Sequence, residues 1–316
     1  MQIKMIKELK DQILQELSKA IVGKKDTIEM LLATFLAGGH ALFEDFPGLG
    51  KTLIARSLAS VLGLEFKRIQ FTPDLLPQDI TGSFYYDKDK KDFIFRSGPI
   101  FTQILLADEI NRASPRTQSA LLEAMQENQV TVEGKSIPLK KPFIVIATQN
   151  PIEYEGTFPL PEAELDRFAI KISVNYPTYE EEHTILKLRK ERKQDDAILS
   201  KVINEEEFIK MQKIVEDVYM DESIEKYIVS IIFATRENQN ITVGSSPRGS
   251  LMLYKISKAY AAICGREYVI PDDVKKFVKP VLSHRILLDP SLWLRKDACS
   301  DLLERILKSI PAPILN

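Results

Sequence analysis

The sequence predicts an α/β fold in the first half of the chain and an all-helical fold in the second half. As far as Tyr176-Pro177, short apolar runs typical of buried strands alternate with helical patterns. Beyond that point strand patterns all but vanish, and apolar residues recur at helical spacing in the segments 180–192, 205–219, 222–237, 247–264, 271–283 and 296–309. We therefore expect an α/β core over residues 1–177 and a smaller helical domain over residues 178–316.

The composition is that of an ordinary globular protein, with 44% apolar and 28% charged residues in a chain of 316. The net charge of −2 excludes a global basic field that would attract nucleic acid or an anionic membrane. No apolar run approaches the roughly 18 residues of a membrane span, and the lysine-bearing N-terminus lacks the apolar core of a signal peptide. Cys264 and Cys299 fit no metal spacing, so we expect a cytoplasmic protein without a disulfide framework.

The first predicted strand leads directly into a glycine-rich turn. The apolar run 41–43 is followed by Glu-Asp-Phe-Pro-Gly-Leu-Gly-Lys-Thr, and an apolar helical pattern begins immediately afterwards. This layout is typical of a phosphate-binding P-loop, in which glycines let main-chain amides and a helix N-terminus converge on one anion. Lys51 can reach the β- and γ-phosphates of a nucleotide, and the Thr52 hydroxyl can hold Mg²⁺. The predicted nucleotide contacts are Pro47, Gly48, Leu49, Gly50, Lys51, Thr52 and Leu53.

One position departs from the P-loop motif. The pattern G-x-x-x-x-G-K-[ST] requires glycine five residues before Gly50, and this chain has Asp45 there. An aspartate can adopt left-handed backbone angles at some cost. Its carboxylate would repel a phosphate unless the side chain turns away.

Two helical patterns precede this strand, and the turn between them could extend the site. Apolar residues share one face over residues 3–19, and a second apolar helix is predicted from about Thr27 to Ala37. The intervening Val22-Gly23 could hold an adenine ring against the P-loop helix. A simple turn before a helix explains these two residues equally well.

Polar residues end two later strands of the predicted core. The apolar run 104–107 ends in Asp108-Glu109, and two adjacent carboxylates there are costly unless they have a function. Asp108 can coordinate Mg²⁺, and Glu109 can activate a water for attack on a γ-phosphate. The run 143–147 is followed shortly by Asn150, whose amide could bind the γ-phosphate or that water.

Two segments interrupt the core pattern. Residues 72–100 contain a turn-rich lead and two aromatic runs around a charged tip, which predicts an inserted hairpin. It could be a projecting arm for a partner or a pore, or only a surface elaboration. A second hairpin is predicted at about 129–140. The mixed charges at 189–196 favour a solvated helix end or linker.

Two arginines are weaker candidates. Arg167 follows the short helical segment at 161–166 and could reach a neighbouring subunit's γ-phosphate as an arginine finger. Arg248, at the start of a helix that opens with Ser246-Pro247, could close the helical domain onto a nucleotide. Taken singly, each fits a surface arginine more simply.

Taken together, these stretches resemble the MoxR family of AAA+ ATPases. They cover roughly residues 20–285 in the family's order. The stretches are Ile21-Val22-Gly23, Pro47 to Thr52, Gln70 to Pro77, Asp108 to Ala113, Leu121 to Met125, Ala147 to Pro151, Leu165 to Phe168 and Ser246-Pro247-Arg248.

The resemblance implies a parallel sheet flanked by helices and followed by a helical lid, with ATP and Mg²⁺ bound between them. It implies a ring, usually a hexamer, in which Arg167 acts on the neighbouring subunit's nucleotide. In these family roles Asn150 resembles sensor 1 and Arg248 resembles sensor 2. Arg248 would act either on the nucleotide of its own subunit or on that of a neighbouring subunit. Such ATPases are thought to act as chaperones that remodel or activate partner proteins, often ones with von Willebrand A domains.

Three other functions share the same core. A DNA-engaged motor would need a basic pore, yet the insert's lysines, Lys88, Lys90 and Lys91, are offset by neighbouring aspartates. A nucleotide-gated scaffold would not need the intact Asp108-Glu109 pair. A metal-chelatase motor subunit would differ only in its partners.

Overall fold

A computed structural model of the protein describes residues 2–151, 157–293, 295 and 297–314. Its strands are β1 (Ala41–Glu44), β2 (Phe66–Gln70), β3 (Gly82–Asp87), β4 (Asp92–Ser97), β5 (Ile104–Asp108), β6 (Gln129–Val132), β7 (Lys135–Pro138), β8 (Ile144–Gln149), β9 (Ile170–Ile172), β10 (Ile241–Val243) and β11 (Leu287–Leu288). Its α-helices are α1 (Ile3–Leu17), α2 (Lys25–Leu36), α3 (Lys51–Leu62), α4 (Pro77–Thr81), α5 (Pro115–Glu127), α6 (Glu162–Leu165), α7 (Tyr179–Arg192), α8 (Glu205–Glu216), α9 (Glu222–Glu237), α10 (Pro247–Ile263), α11 (Pro271–Leu282) and α12 (Ala298–Ser309).

The core is a five-stranded parallel sheet in the order β2-β5-β8-β1-β9. β1 lies between β8 and β9, and Ala41 pairs with Ile146 on one side and Ile170 on the other. In the same sheet Gln70 of β2 pairs with Asp108 of β5. Because all five strands run in one direction, the polar residues that follow them lie along a single edge, where parallel sheets place their ligands.

The sheet is buried on both faces, which explains why its strands are apolar throughout. Successive residues of β5 point to opposite sides: Ile104 and Leu106 belong to one buried cluster, and Leu105 and Ala107 belong to the other. The first cluster also includes residues of α1, α2 and α3, whereas the second includes α5. This arrangement confirms the predicted parallel α/β core.

Two antiparallel hairpins extend from the core. In the segment 72–100, α4 leads into the β3-β4 hairpin, where Phe84 pairs with Phe95 and Tyr86 with Phe93. The rings of Tyr86 and Phe93 lie 5.4 Å apart, and both residues are more than half exposed. The β6-β7 hairpin spans residues 129–138.

The region after β9 is helical except for the short β10-β11 pair, as predicted. Its central helix, α10, packs against α1 and α2 of the first half as well as against α8, α9 and α11. One buried cluster therefore contains residues of both halves, and the domain division at residues 177/178 stays a prediction. Helix α7, in contrast, has no buried residue. No helix in the described parts of the chain is both long and apolar enough to cross a membrane.

Candidate nucleotide-binding site

A cavity of about 610 Å³ lies at the carboxyl edge of the sheet. It is lined by predicted residues from three separate stretches, namely Pro47, Gly48, Gly50, Lys51, Thr52, Leu53, Asp108, Glu109 and Asn150. It is also lined by residues that were not predicted as site residues from the sequence, namely Arg56, Arg68, Gln70, Thr148, Asp195 and Asp196. The strand order brings these groups together, since β1, β5 and β8 are neighbours.

The glycine-rich turn has the backbone conformation of a phosphate-binding loop. Gly48 and Gly50 have φ values of 83° and 82°, in the left-handed region that glycine adopts without strain. Lys51 opens α3 and is buried, and its Nζ donates to the main-chain oxygen of Asp45 at 2.8 Å. Burial lowers the pKa of Lys51 below its ordinary value, whereas nearby carboxylates, that of Asp45 among them, oppose the shift.

Asp45 does not take the left-handed conformation that the motif's glycine would allow. Its carboxylate is buried, and most of its hydrogen bonds come from the segment after β9. Asp45 Oδ2 accepts hydrogen bonds from Ser173 Oγ at 2.8 Å and from the amides of Val174 at 2.6 Å and Asn175 at 2.9 Å. Its Oδ1 accepts from the amide of Phe46 at 3.0 Å. The departure from the motif thus serves to join the P-loop to the segment after β9.

The two adjacent carboxylates at the end of β5 share one anchor. Thr148 of β8 donates to Asp108 Oδ1 at 2.6 Å, and the same hydroxyl accepts from the Glu109 amide at 2.8 Å. Glu109 has a φ of 55°, a left-handed conformation that costs a glutamate energy. The Glu109 residue that follows this strand lines the cavity.

Two residues of β2 hold these carboxylates from the other side. Arg68 donates to Asp108 Oδ2 through Nε at 3.1 Å and through Nη2 at 2.7 Å. Arg68 also donates to Gln70 Oε1 at 2.7 Å, and Gln70 Nε2 donates to Glu109 Oε2 at 2.7 Å. Arg112 donates to the same Glu109 oxygen at 2.9 Å. Because alternate residues of a strand share a face, Arg68 and Gln70 act side by side.

A second, mostly apolar cavity of about 390 Å³ adjoins the first. Both cavities are lined by Gly48, Gly50 and Leu53, and the second is also lined by Ala20, Ile21, Val22, Lys24, Leu49, Ile185 and Leu186. Gly23 lies within this segment and has a φ of 69°. The position and apolar lining suit a nucleotide base beside the P-loop, and helix α7 supplies the outer wall.

Residues 189–196 contain the end of α7 at Arg192, and Asp195 and Asp196 are exposed, as predicted for a solvated helix end, but two of these residues also line the cavities. Asp195 lines both cavities and Asp196 lines the first. Asp195 pairs with Arg189 at 2.5 Å, and Asp196 pairs with Arg56 of α3. The segment therefore contacts α3, the helix that follows the P-loop. A mixed charge run alone carried no signal of this position.

Neither predicted arginine lies in these cavities. Arg248 forms an ion pair with Asp166 at 3.6 Å, and Asp166 directly precedes Arg167. Arg167 Nε is buried without a hydrogen-bond partner among the described residues. Arg248 thus pairs with the residue that precedes Arg167, and neither arginine lines the cavity that contains Lys51.

Comparison with known proteins agrees with this architecture. Residues 40–170 match the family described as "ATPase family associated with various cellular activities (AAA)", and residues 233–304 match the AAA lid domain. A crystal structure of a candidate ATPase from Cytophaga hutchinsonii superimposes with a TM-score of 0.91 at 38% sequence identity, covering 98% of this chain and 96% of that one.

Relatives of known sequence extend the comparison over nearly the whole chain. The uncharacterized protein YeaC of Bacillus subtilis is 47% identical, over 95% of this chain and 93% of its own length. Chaperone MoxR1 of Mycobacterium tuberculosis is 39% identical, over 95% of this chain and 81% of its own length. A magnesium-chelatase subunit of Mesostigma viride matches only 59% of this chain, at 27% identity. This chain belongs to the MoxR family of AAA+ ATPases.

Proposed function

We propose that this protein is a magnesium-dependent ATPase that works as a ring and remodels partner proteins in the cytoplasm. The observation that carries the proposal is the convergence of Lys51, Thr52, Asp108, Glu109 and Asn150 on one cavity. These residues come from three strand ends that are far apart in the sequence. Together they supply the groups that phosphoryl transfer to water requires.

ATP binds with its triphosphate on the P-loop and its base in the apolar cavity beside Val22 and Gly23. Main-chain amides around Gly48 and Gly50 hold the phosphates, and Lys51 exchanges its bond to the Asp45 oxygen for one to the β- and γ-phosphates. This exchange is favourable because the present partner of Lys51 is a neutral carbonyl, whereas the phosphates are charged.

The cavity offers a donor set that fits Mg²⁺. This ion prefers oxygen ligands, keeps several waters and takes few groups from the protein. The Thr52 hydroxyl and the Asp108 carboxylate line the cavity together with Lys51, and they would hold the ion. When bound, Mg²⁺ would neutralise charge that develops on the phosphate oxygens.

Glu109 acts as the general base for the attacking water. The water oxygen forms a bond to the γ-phosphorus while the bond to the β,γ-bridging oxygen breaks, and Glu109 accepts the proton. Gln70 and Arg112 hold the Glu109 carboxylate before ATP binds. Asn150 orients the water or the γ-phosphate from the end of β8.

The arginine contribution comes from the neighbouring subunit. Arg167 and Arg248 lie outside the cavities of their own chain, which supports a head-to-tail ring in which both reach the next subunit's nucleotide. An arginine finger contributes about 10³–10⁵ in rate, so an isolated subunit should turn over ATP slowly. We expect a hexamer, by analogy with the family.

The partner is proposed to be a protein, since a similar protein is named a chaperone. A von Willebrand A domain is one candidate. In the β3-β4 hairpin, lysines at 88, 90 and 91 alternate with aspartates, an arrangement that does not favour DNA.

The test replaces Glu109 by glutamine. Glu109→Gln should keep ATP affinity, measured with a fluorescent ATP analogue, and lose phosphate release. Glu127→Gln, an exposed glutamate at the end of α5, is the matched control and should behave as wild type. Wild-type activity per subunit should rise with protein concentration as rings form. Normal turnover by Glu109→Gln would refute the role of Glu109. Absence of ATP binding by the wild-type protein would refute the whole proposal.

A further inference from the structure

The loop that carries Arg167 is bound by the lid of its own subunit. This loop, residues 166–169, connects α6 to β9 in the core. His284 Nε2 donates to the Phe168 main-chain oxygen at 2.9 Å. Arg285 donates to the oxygens of Asp166 at 3.1 Å, Phe168 at 2.5 Å and Ala169 at 3.1 Å. Lid residues thus take nearly every main-chain acceptor of the loop.

Asp166 is the centre of this contact. Its Oδ1 accepts from Arg285 Nε at 2.7 Å. Its Oδ2 accepts from Ser246 Oγ at 3.3 Å and pairs with Arg248 Nη1 at 3.6 Å. The Arg285 side chain is only 1% exposed. A buried ion pair of this kind adds little net stability but fixes geometry, because either partner left alone would be costly.

The groups that hold Asp166 come from two separate parts of the lid. Ser246 and Arg248 begin α10, whereas Arg285 follows α11. Helices α10 and α11 pack against each other, and α10 also packs on α1 and α2 of the core. A shift of the lid on the core would therefore move the partners of both Asp166 carboxylate oxygens. Because Arg167 is the next residue along the chain, such a shift would also affect its position.

We propose that Asp166 is a positioning residue that joins Arg167 to the lid, so that the lid of one subunit sets the hydrolysis rate in the next. This inference rests on the proposed action of Arg167 on a neighbouring subunit. Asp166 itself touches no nucleotide in this arrangement. Asp166 instead acts by placing Arg167 and Arg248 together. Its buried ion pair with Arg285 holds the loop that carries Arg167.

The test uses mixed rings. Asp166→Asn keeps the side-chain shape and one acceptor but loses the charge that pairs with two arginines. Alone, it should bind the fluorescent ATP analogue with wild-type affinity, keep its KM and lose on the order of 10²-fold in kcat, as misplaced catalytic groups do. Glu109→Gln subunits lack turnover but carry an intact Arg167. An equal mixture of the two variants should regain about a quarter of the wild-type rate, because that share of adjacent pairs has both an active site and a correct neighbour.

Two controls separate this effect from a loss of fold. Asp273→Asn removes a carboxylate that pairs with Arg266 inside the lid at 2.5 Å and is buried. It should lower the melting temperature at least as much as Asp166→Asn and leave kcat unchanged. Asp166→Glu retains the charge but displaces the loop, and it serves in the mixtures if Asp166→Asn does not fold.

The outcomes distinguish the inference from the function on which it rests. Two mixtures are compared, one of Arg167→Ala with Glu109→Gln and one of Asp166→Asn with Glu109→Gln. If the first mixture regains activity and the second does not, Asp166 acts within its own subunit and the inference is wrong. Wild-type kcat in Asp166→Asn overturns it as well. If the Arg167→Ala mixture also stays inactive, the proposed action between subunits is wrong.

Discussion

Restoring the missing P-loop glycine should damage this protein. Asp45→Gly brings the sequence closer to the motif, yet it deletes the acceptor of four hydrogen bonds, from Ser173, Val174, Asn175 and Phe46. Hydrogen bonds to a charged group contribute about 1.5–3 kcal/mol each, and buried donors left unpaired cost a similar amount. Since such terms are not additive, we expect a loss of roughly 3–5 kcal/mol in the free energy of unfolding. Glycine offers no compensation, because position 45 does not use a left-handed conformation.

Urea unfolding followed by circular dichroism would measure this loss. The matched control is Glu44→Gln, which removes a neighbouring carboxylate paired with Lys171 at 2.8 Å and 35% exposed. An ion pair exposed to this extent contributes less than about 1 kcal/mol, so the control should stay near wild type. Asp45→Asn should fall between the two variants because it keeps one acceptor. If Asp45→Gly were as stable as Glu44→Gln, the carboxylate would not hold the segment after β9, and the assigned role would be wrong.

Two further predictions concern charged and titratable groups. Arg68→Ala should raise the ratio of the ATP dissociation constants measured without and with Mg²⁺ by up to about fivefold. Asp108 loses a charge-assisted partner, but the Arg68 side chain is 48% exposed, so the pair contributes no more than about 1 kcal/mol. An unchanged ratio, as expected for Lys67→Ala, would contradict this. Burial lowers the pKa of His40 to about 4, so the folded state binds fewer protons than the unfolded state between pH 6.5 and 4. Unfolding free energy should therefore fall by up to ~3 kcal/mol as the pH drops through that window. In His40→Gln the unfolding free energy should fall less over the same pH range. An equal fall in the variant and the wild type would contradict the role given to His40.

The parts of the site that lie close together in sequence were predictable. The P-loop is a strand, a turn and a helix in one short stretch, so its residue spacing alone indicates its geometry. Asp108-Glu109 was predictable for a related reason, because charged residues at the end of an apolar strand need a purpose. Their meeting with Asn150 also follows once the strands are known to be parallel neighbours.

Groups that depend on strand order or long-range packing were not predictable. Arg68 and Gln70 looked like ordinary polar positions of a strand, and only the pairing of β2 with β5 places them against the carboxylates. Asp45 looked like a defect in a motif, because its partners lie about 130 residues further along the chain. Asp196 lines the cavity and pairs with Arg56, which lies 140 residues earlier in the chain. Local pattern contains none of this information.

The charges of the cavity support the proposed use of arginines from a second subunit. Its described lining has three cationic side chains and four acidic ones, namely Lys51, Arg56 and Arg68 against Asp108, Glu109, Asp195 and Asp196. Arg56 and Arg68 are already paired with acids, so Lys51 is the cation whose present partner is neutral. A triphosphate entering this cavity adds negative charge to a site without a positive surplus. Mg²⁺ and the neighbour's Arg167 and Arg248 would supply the missing positive charge, and hydrolysis would then depend on both the ion and the assembled ring.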